Sequence, residues 1–152
     1  QDGREGSGRT QEALMDITAF DLAQRFVGIH EVEGIASNPL ILGMLRLDDD
    51  WPQSDAVPWC SAFVNFIAWE LRLPRSKSLA AKSWLTVGRP INLEEAVPQN
   101  DVVILTRAGG GHVAFFAGFT TDTVMLLGGN QHDAVDIAEF PRANIVGVRR
   151  LA

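Results

Sequence analysis

After Arg89-Pro90 the hydrophobic pattern changes period, and this change limits the fold more than any other feature of the chain. Before it, apolar residues recur at spacings of three and four. After it, they gather in short runs of strand length. Asp16 to Val27 reads as a helix, with Ile17, Phe20, Ala23, Phe26 and Val27 on one side and Gly28 as its stop. Thr18, with Asp21 three residues on, reads as its cap pair. Asn38-Pro39 reads as the N-cap and first-turn proline of a short helix through Leu45. Trp59 to Leu73 carries the clearest helical stripe, with Trp59, Phe63, Ile67 and Leu71 spaced by four, Val64 and Ala68 beside them, and Pro74 beyond its end. A short helix follows from Ser78 to Val87, closed by Gly88.

In the second part, Val102 to Thr106, His112 to Phe119, Thr123 to Leu127, Val135 to Phe140 and Ile145 to Arg149 read as strands. Gly109-Gly110-Gly111 and Thr120 to Asp122 supply turns. Helices followed by an antiparallel meander make the class α+β. A chain of 152 residues is expected to hold one domain with one core. Residues 1–15 are polar and Gly-rich, with no apolar signal region, and read as a flexible tail or linker. Residues 16–152 read as the single domain. The absence of a starting Met suggests a processed chain or a piece of a longer one.

Charge and cysteine count narrow the function. Thirteen Lys+Arg against 19 Asp+Glu give a net charge of −6, which argues against a dedicated nucleic-acid binder. No run of about 18 apolar residues is present, so no transmembrane helix is expected. One Cys permits no internal disulfide and no multi-cysteine zinc site, and with only three His no metal site and no cofactor are expected.

Cys60 is therefore either a small buried residue or a nucleophile. It falls in the first turn of the strongest helix. There the helical N–H groups lack intrahelical partners and the helix dipole favours negative charge. That position lowers a thiol's pKa and offers the N–H groups of Cys60 and Ser61 to an oxyanion.

A catalytic cysteine needs a base. His30 lies in a polar loop, and His132 follows a Gly-Gly-Asn-Gln turn beside Asp133. His112 opens a strand directly after three glycines, which leave room for a substrate backbone. It is the base of choice, against the plain alternative of a strand-end histidine bonded to a carbonyl. Counting pairs from a turn centred near Thr121 sets position 112 opposite about 130. Asn130 is thus the expected partner that holds the ring, although an asparagine there is equally a turn residue.

These residues resemble a known group. Trp59-Cys60-Ser61-Ala62-Phe63-Val64 resembles the nucleophile helix of the NlpC/P60 and CHAP superfamily of papain-like cysteine peptidases. Pro98-Gln-Asn-Asp101-Val-Val and Gly111-His112-Val113-Ala114-Phe115 resemble two of its strands, and Gly129-Asn130-Gln131 resembles the strand of its third residue. Asn38-Pro39, Val57 to Val64, Ser83-Trp84-Leu85 and Leu127 to Gln131 together resemble a CHAP-like bacterial and phage subgroup. Asn100 stands where the superfamily has Gly, and Gly128 where CHAP enzymes often have Glu.

The resemblance implies a papain-like fold with N-terminal helices packed on a C-terminal antiparallel sheet. It implies Cys60 as nucleophile, His112 as base and Asn130 as orienter, acting on an amide bond of a peptidoglycan stem peptide or cross-bridge. Trp59, Ser61, Trp84, Gly111 and Gln131 are the expected substrate contacts, with Trp51 a further candidate wall of the groove. Asp48, Asp49, Asp50 and Asp55 form an acidic loop. Some CHAP enzymes bind calcium at such a loop, and the plain alternative is a solvated one.

The expected protein is a monomeric wall-lytic enzyme, an endolysin or a secreted antibacterial effector working in the periplasm or cell wall. Without a signal peptide, delivery would come from phage lysis, a secretion system or a processed precursor. A delivery domain is one expected partner, and an effector would also bring an immunity protein. An acyl transferase or deamidase on the same Cys-His site, or a binding module without catalysis, are the alternatives.

Overall fold

A computed structural model describes residues 16–33 and 36–152. The expected tail over residues 1–15 lies outside the described residues. The first helix, α1 (Ala19–Gln24), is shorter than its periodic pattern, because its caps close it early. Thr18 and Asp21 form a reciprocal capping box, each side chain bonding the other's backbone N–H. Helix α2 (Pro39–Leu45) starts at the expected Asn38 cap, whose side chain accepts from the Leu40 N–H at 2.9 Å. Helix α3 (Cys60–Glu70) follows Trp59 as its N-cap, with no side-chain cap bond. The segment expected as a helix from Ser78 to Val87 forms a 3₁₀ helix over Ala81–Thr86.

The C-terminal part is a six-stranded antiparallel sheet in the order β1-β6-β2-β3-β4-β5. Its strands are β1 (Arg89–Pro90), β2 (Asp101–Arg107), β3 (Gly110–Phe119), β4 (Thr123–Gln131), β5 (Ala134–Pro141) and β6 (Ile145–Arg150). The two-residue β1 is too short for a periodic signal and is absent from the sequence reading. Strand β4 runs to Gln131, four residues past its expected end. The chain is therefore α+β. No helix among the described residues is long and apolar enough to cross a membrane.

Side chains alternate across the strands, so the sheet has two apolar faces. On one face Val102, Ile104, Val113, Phe115, Leu127 and Val135 join Phe63, Ile67, Ala68, Met44 and Ala23 in the larger core. Phe63 meets Phe115 edge to face at 6.1 Å between ring centres, and Phe26 meets both Phe63 and Phe66 in the same way. On the other face Val103, Leu105, Ala114, Phe116, Leu126 and Val148 pack with Leu93 and Ala96 in a smaller core. Asp101 is buried at the start of β2 and takes a two-bond ion pair from Arg150 of β6, which fixes that edge of the sheet.

Candidate active site

Cys60 occupies the first turn of α3 and is 6% exposed. Around its sulfur lie the backbone N–H groups of Val113, Ser61 and Cys60 itself. Two of these are the partnerless N–H groups of the helix start, and the third comes from β3, one residue past His112. Cys60 lines a cleft of about 210 Å³ with Pro58, Arg107, Ala108, Gly109, Gly110, Gly111 and Asn130. Burial pushes the thiol above its ordinary pKa, and the surrounding N–H groups and the Arg107 charge only partly oppose this. The expected lowering by the helix end is thus present but outweighed, and the resting sulfur is a thiol.

His112 is fully buried. Its alternation on β3 sets it with Ala114 and Phe116, on the sheet face away from α3. The ring stacks on Phe140, with centres 5.1 Å apart and planes 30° apart. Nε2 lies 3.0 Å from Oε1 of Gln131, and Nδ1 lies 3.1 Å from Nη1 of Arg107. The tautomer follows from these partners. The Gln131 amide nitrogen is committed to the Leu126 carbonyl and to the carbonyl and carboxylate of Asp136. Its oxygen therefore faces the ring, so Nε2 carries the proton and Nδ1 accepts from Arg107. Burial, with help from the Arg107 charge, pushes the ring's pKa down to about 4, against the opposing effects of the Gln131 bond and Asp136. The ring is neutral at pH 7.

The expected orienter is therefore corrected. Gln131, not Asn130, holds the ring. The register between β3 and β4 shifts between Phe116 and Gly118 and then pairs Phe116 with Leu126 and Phe115 with Leu127, which, continued, would set 112 opposite 130. On its other side, however, β4 breaks register with β5 between Gly128 and Gln131, and Asn130 takes a left-handed φ of 58°. The bulge moves the Asn130 side chain off the ring and brings Gln131 onto it. A Cβ on Gly128 would lie 2.7 Å from the Gln131 oxygen, so a glycine there makes room for this side chain. Asn130 remains in the cleft wall beside Cys60.

Most of the expected substrate contacts are also corrected. Trp59 is fully buried, with its Nε1–H on Glu31 Oε1 at 2.7 Å. Burial raises the pKa of that glutamate, which the indole bond opposes. Trp84 is fully buried and donates to Ser61 Oγ at 2.9 Å, while Ser61 donates to the Ser78 carbonyl. These three side chains tie α3 to the loops around it and face no solvent. Gln131 is 2% exposed and serves the ring. Gly111 alone of the five lines the cleft. Trp51 is exposed and stands apart from the cleft.

The acidic loop has its own partners. Asp48 pairs with Arg75, and buried Asp55 accepts the N–H groups of Val32 and Asn38. His30 and His132 are exposed; His30 bonds the Gly28 carbonyl and His132 pairs with Asp136, not Asp133.

Arg107 is the site residue that the sequence reading missed. It follows the strand read over Val102 to Thr106 and stands two residues before the glycine run that leads into His112. No hydrogen bond joins the Cys60 thiol to the His112 ring among the described residues; the two ring nitrogens meet Arg107 and Gln131 instead.

No family model matches the sequence, and no curated protein matches it. Solved structures do. The structure of NlpC1 from Trichomonas vaginalis matches with a TM-score of 0.55 at 15% identity, over 88% of this chain and 42% of that one. An NlpC/P60 family protein from Bacillus cereus ATCC 10987 matches with a TM-score of 0.40 at 19% identity, over 60% of this chain and 31% of that one. The chain spans less than half the length of either. At these identities the likeness concerns the fold, and the first match carries it: this α+β chain has an NlpC/P60-like, papain-like fold.

Proposed function

We propose that the protein is a cysteine amidase that cuts an amide bond in a peptidoglycan stem peptide or cross-bridge, as a wall-lytic enzyme. One observation carries this reading. In an NlpC/P60-like fold, the single thiol of the chain stands at the start of a helix, against the backbone N–H of Val113, the residue that follows a histidine whose tautomer is held by a glutamine.

In this reading Cys60 is the nucleophile and His112 the base, with Gln131 as the group that positions the ring. With both partners neutral at rest, proton transfer accompanies attack instead of preceding it. The Cys60 proton passes to Nδ1 as the sulfur bonds the carbonyl carbon. The oxyanion forms beside the N–H groups of the α3 start. The C–N bond then breaks, and the amine leaves with the proton from Nδ1. Water attacks the thioester, gives its proton to Nδ1, and the thiol is regenerated as the acid product departs.

The test is digestion of purified cell wall by the wild type and by Cys60→Ala, with products identified by mass spectrometry. New amine and carboxyl ends from the wild type alone are expected. Equal digestion by Cys60→Ala would overturn the reading. Acyl groups passed to an amine instead of water would make the protein a transferase.

A further inference from the structure

Arg107 ends β2 opposite Gly110, lines the cleft beside Cys60, and its charge acts on the thiol. Nη1 donates to Nδ1 of His112 at 3.1 Å. Among the described residues no carboxylate pairs with it. Asp136, the carboxylate that acts on the ring, already accepts from Gln131 and His132. An unpaired cation thus faces the open cleft of a chain with net charge −6. A Cβ on Gly109 or Gly110 would meet nothing within 4 Å, so the space over the hairpin is free for a ligand.

The ring's hydrogen bonds make this placement consequential. Nδ1 has one lone pair, and while the Arg107 N–H fills it, it takes no proton from a thiol. Nε2 already carries a proton held on Gln131. In this state neither nitrogen serves Cys60. Activity requires that the guanidinium turn away, and the group that matches its planar fork of N–H donors is a carboxylate.

We propose that Arg107 is the specificity-determining residue of the site. It pairs with a carboxylate of the substrate flanking the amide to be cut, and in turning to that carboxylate it releases Nδ1 of His112 to Cys60. This rests on the amidase reading above. Neutralising the guanidinium also removes one of the charges that holds the ring neutral. A stem peptide with a free carboxylate beside the scissile bond is then a substrate, and its amidated counterpart a poor one.

The experiment compares two synthetic stem peptides that differ only in whether that carboxylate is free or amidated. The wild type is expected to favour the free form by about tenfold or more in kcat/KM. Arg107→Gln, with a circular dichroism spectrum matching the wild type, erases the preference: it loses on the carboxylate peptide and holds or gains on the amidated one. Arg107→Lys, which keeps the charge but not the fork, retains part of it and carries the test if the glutamine variant fails to fold. Equal loss on both peptides, or loss on neither, overturns the proposal.

A second readout needs no peptide. Cys60 is the only thiol, so its alkylation rates with iodoacetate and iodoacetamide are read directly by mass. Normalised to glutathione, the iodoacetate-to-iodoacetamide ratio is expected to fall several-fold in Arg107→Gln. An unchanged ratio counts against Arg107 as an anion site. If the wild type cuts neither peptide, the amidase reading fails, and the ratio alone decides the role of Arg107.

Discussion

The side-chain oxygen of Gln131 lies 3.0 Å from Nε2 of His112, and three bonds from the Gln131 amide nitrogen to Leu126 and Asp136 prevent that amide from flipping. The pair is a fixed device for holding one tautomer. Gln131→Leu removes the acceptor and leaves a buried N–H unsatisfied. Activity on cell wall is expected to fall by about 10- to 100-fold, the usual cost of losing a group that orients an imidazole. Ring ¹⁵N chemical shifts check the cause: the wild type shows the Nε2–H tautomer and the variant a mixture. Asn130→Gly, which keeps the left-handed backbone without strain, leaves the tautomer unchanged.

That contrast shows what the sequence made legible. Helices α1, α2 and α3 and the five longer strands follow from periodicity, the Thr18 and Asn38 caps and the glycine stops. The position of Cys60 at a helix start and of His112 near a strand start, after the glycine run, was legible in the same way. The side chain that meets the His112 ring lies one residue past the expected Asn130, because pair counting assumes a regular ladder and β4 bulges between Gly128 and Gln131. Trp59 and Trp84 were misread as groove walls because an indole suits a core and a rim equally until its N–H partner is known. Here those partners are Glu31 and Ser61. Arg107 was missed because periodicity says nothing of where a strand-end side chain turns.

The buried ring also sets a pH dependence of stability. His112 titrates near pH 4 when folded and near 6.5 when unfolded. Between these values the unfolded chain binds more protons, so stability is fully present above about pH 6.5 and is lost as pH falls toward 4. The loss amounts to roughly 3 kcal/mol from this group. Melting curves from pH 7 to pH 4.5 should show Tm falling in the wild type. His112→Gln should show a shallower fall over the same range. Parallel curves would remove the ring as the cause.

The Cys60 thiol gives a second profile. Because burial raises its pKa, alkylation by iodoacetamide at pH 7 is expected to be slower than that of glutathione and to keep rising with pH through about 9. A plateau near pH 7 would mean a resting thiolate and would contradict a neutral Cys60–His112 pair. Removing the Arg107 charge takes away one of the influences lowering that pKa, so Arg107→Gln should move the profile to higher pH still.

The packing of β4 under the start of α3 supplies the last prediction. A Cβ on Gly129 would stand 2.6 Å from the Trp59 ring and 2.8 Å from the Phe63 Cβ. Both neighbours are fully buried, and Trp59 is also tied to Glu31, so neither yields easily. Gly129→Ala should therefore destabilise the fold by about 1–3 kcal/mol through overpacking, read as a lower denaturation midpoint with an unchanged slope. Relief of the clash would lift Trp59 and, with it, the first turn that carries Cys60. Cell-wall activity below the Tm should drop beyond what the unfolded fraction explains. Activity that tracks the folded fraction alone would separate the position of Cys60 from this contact.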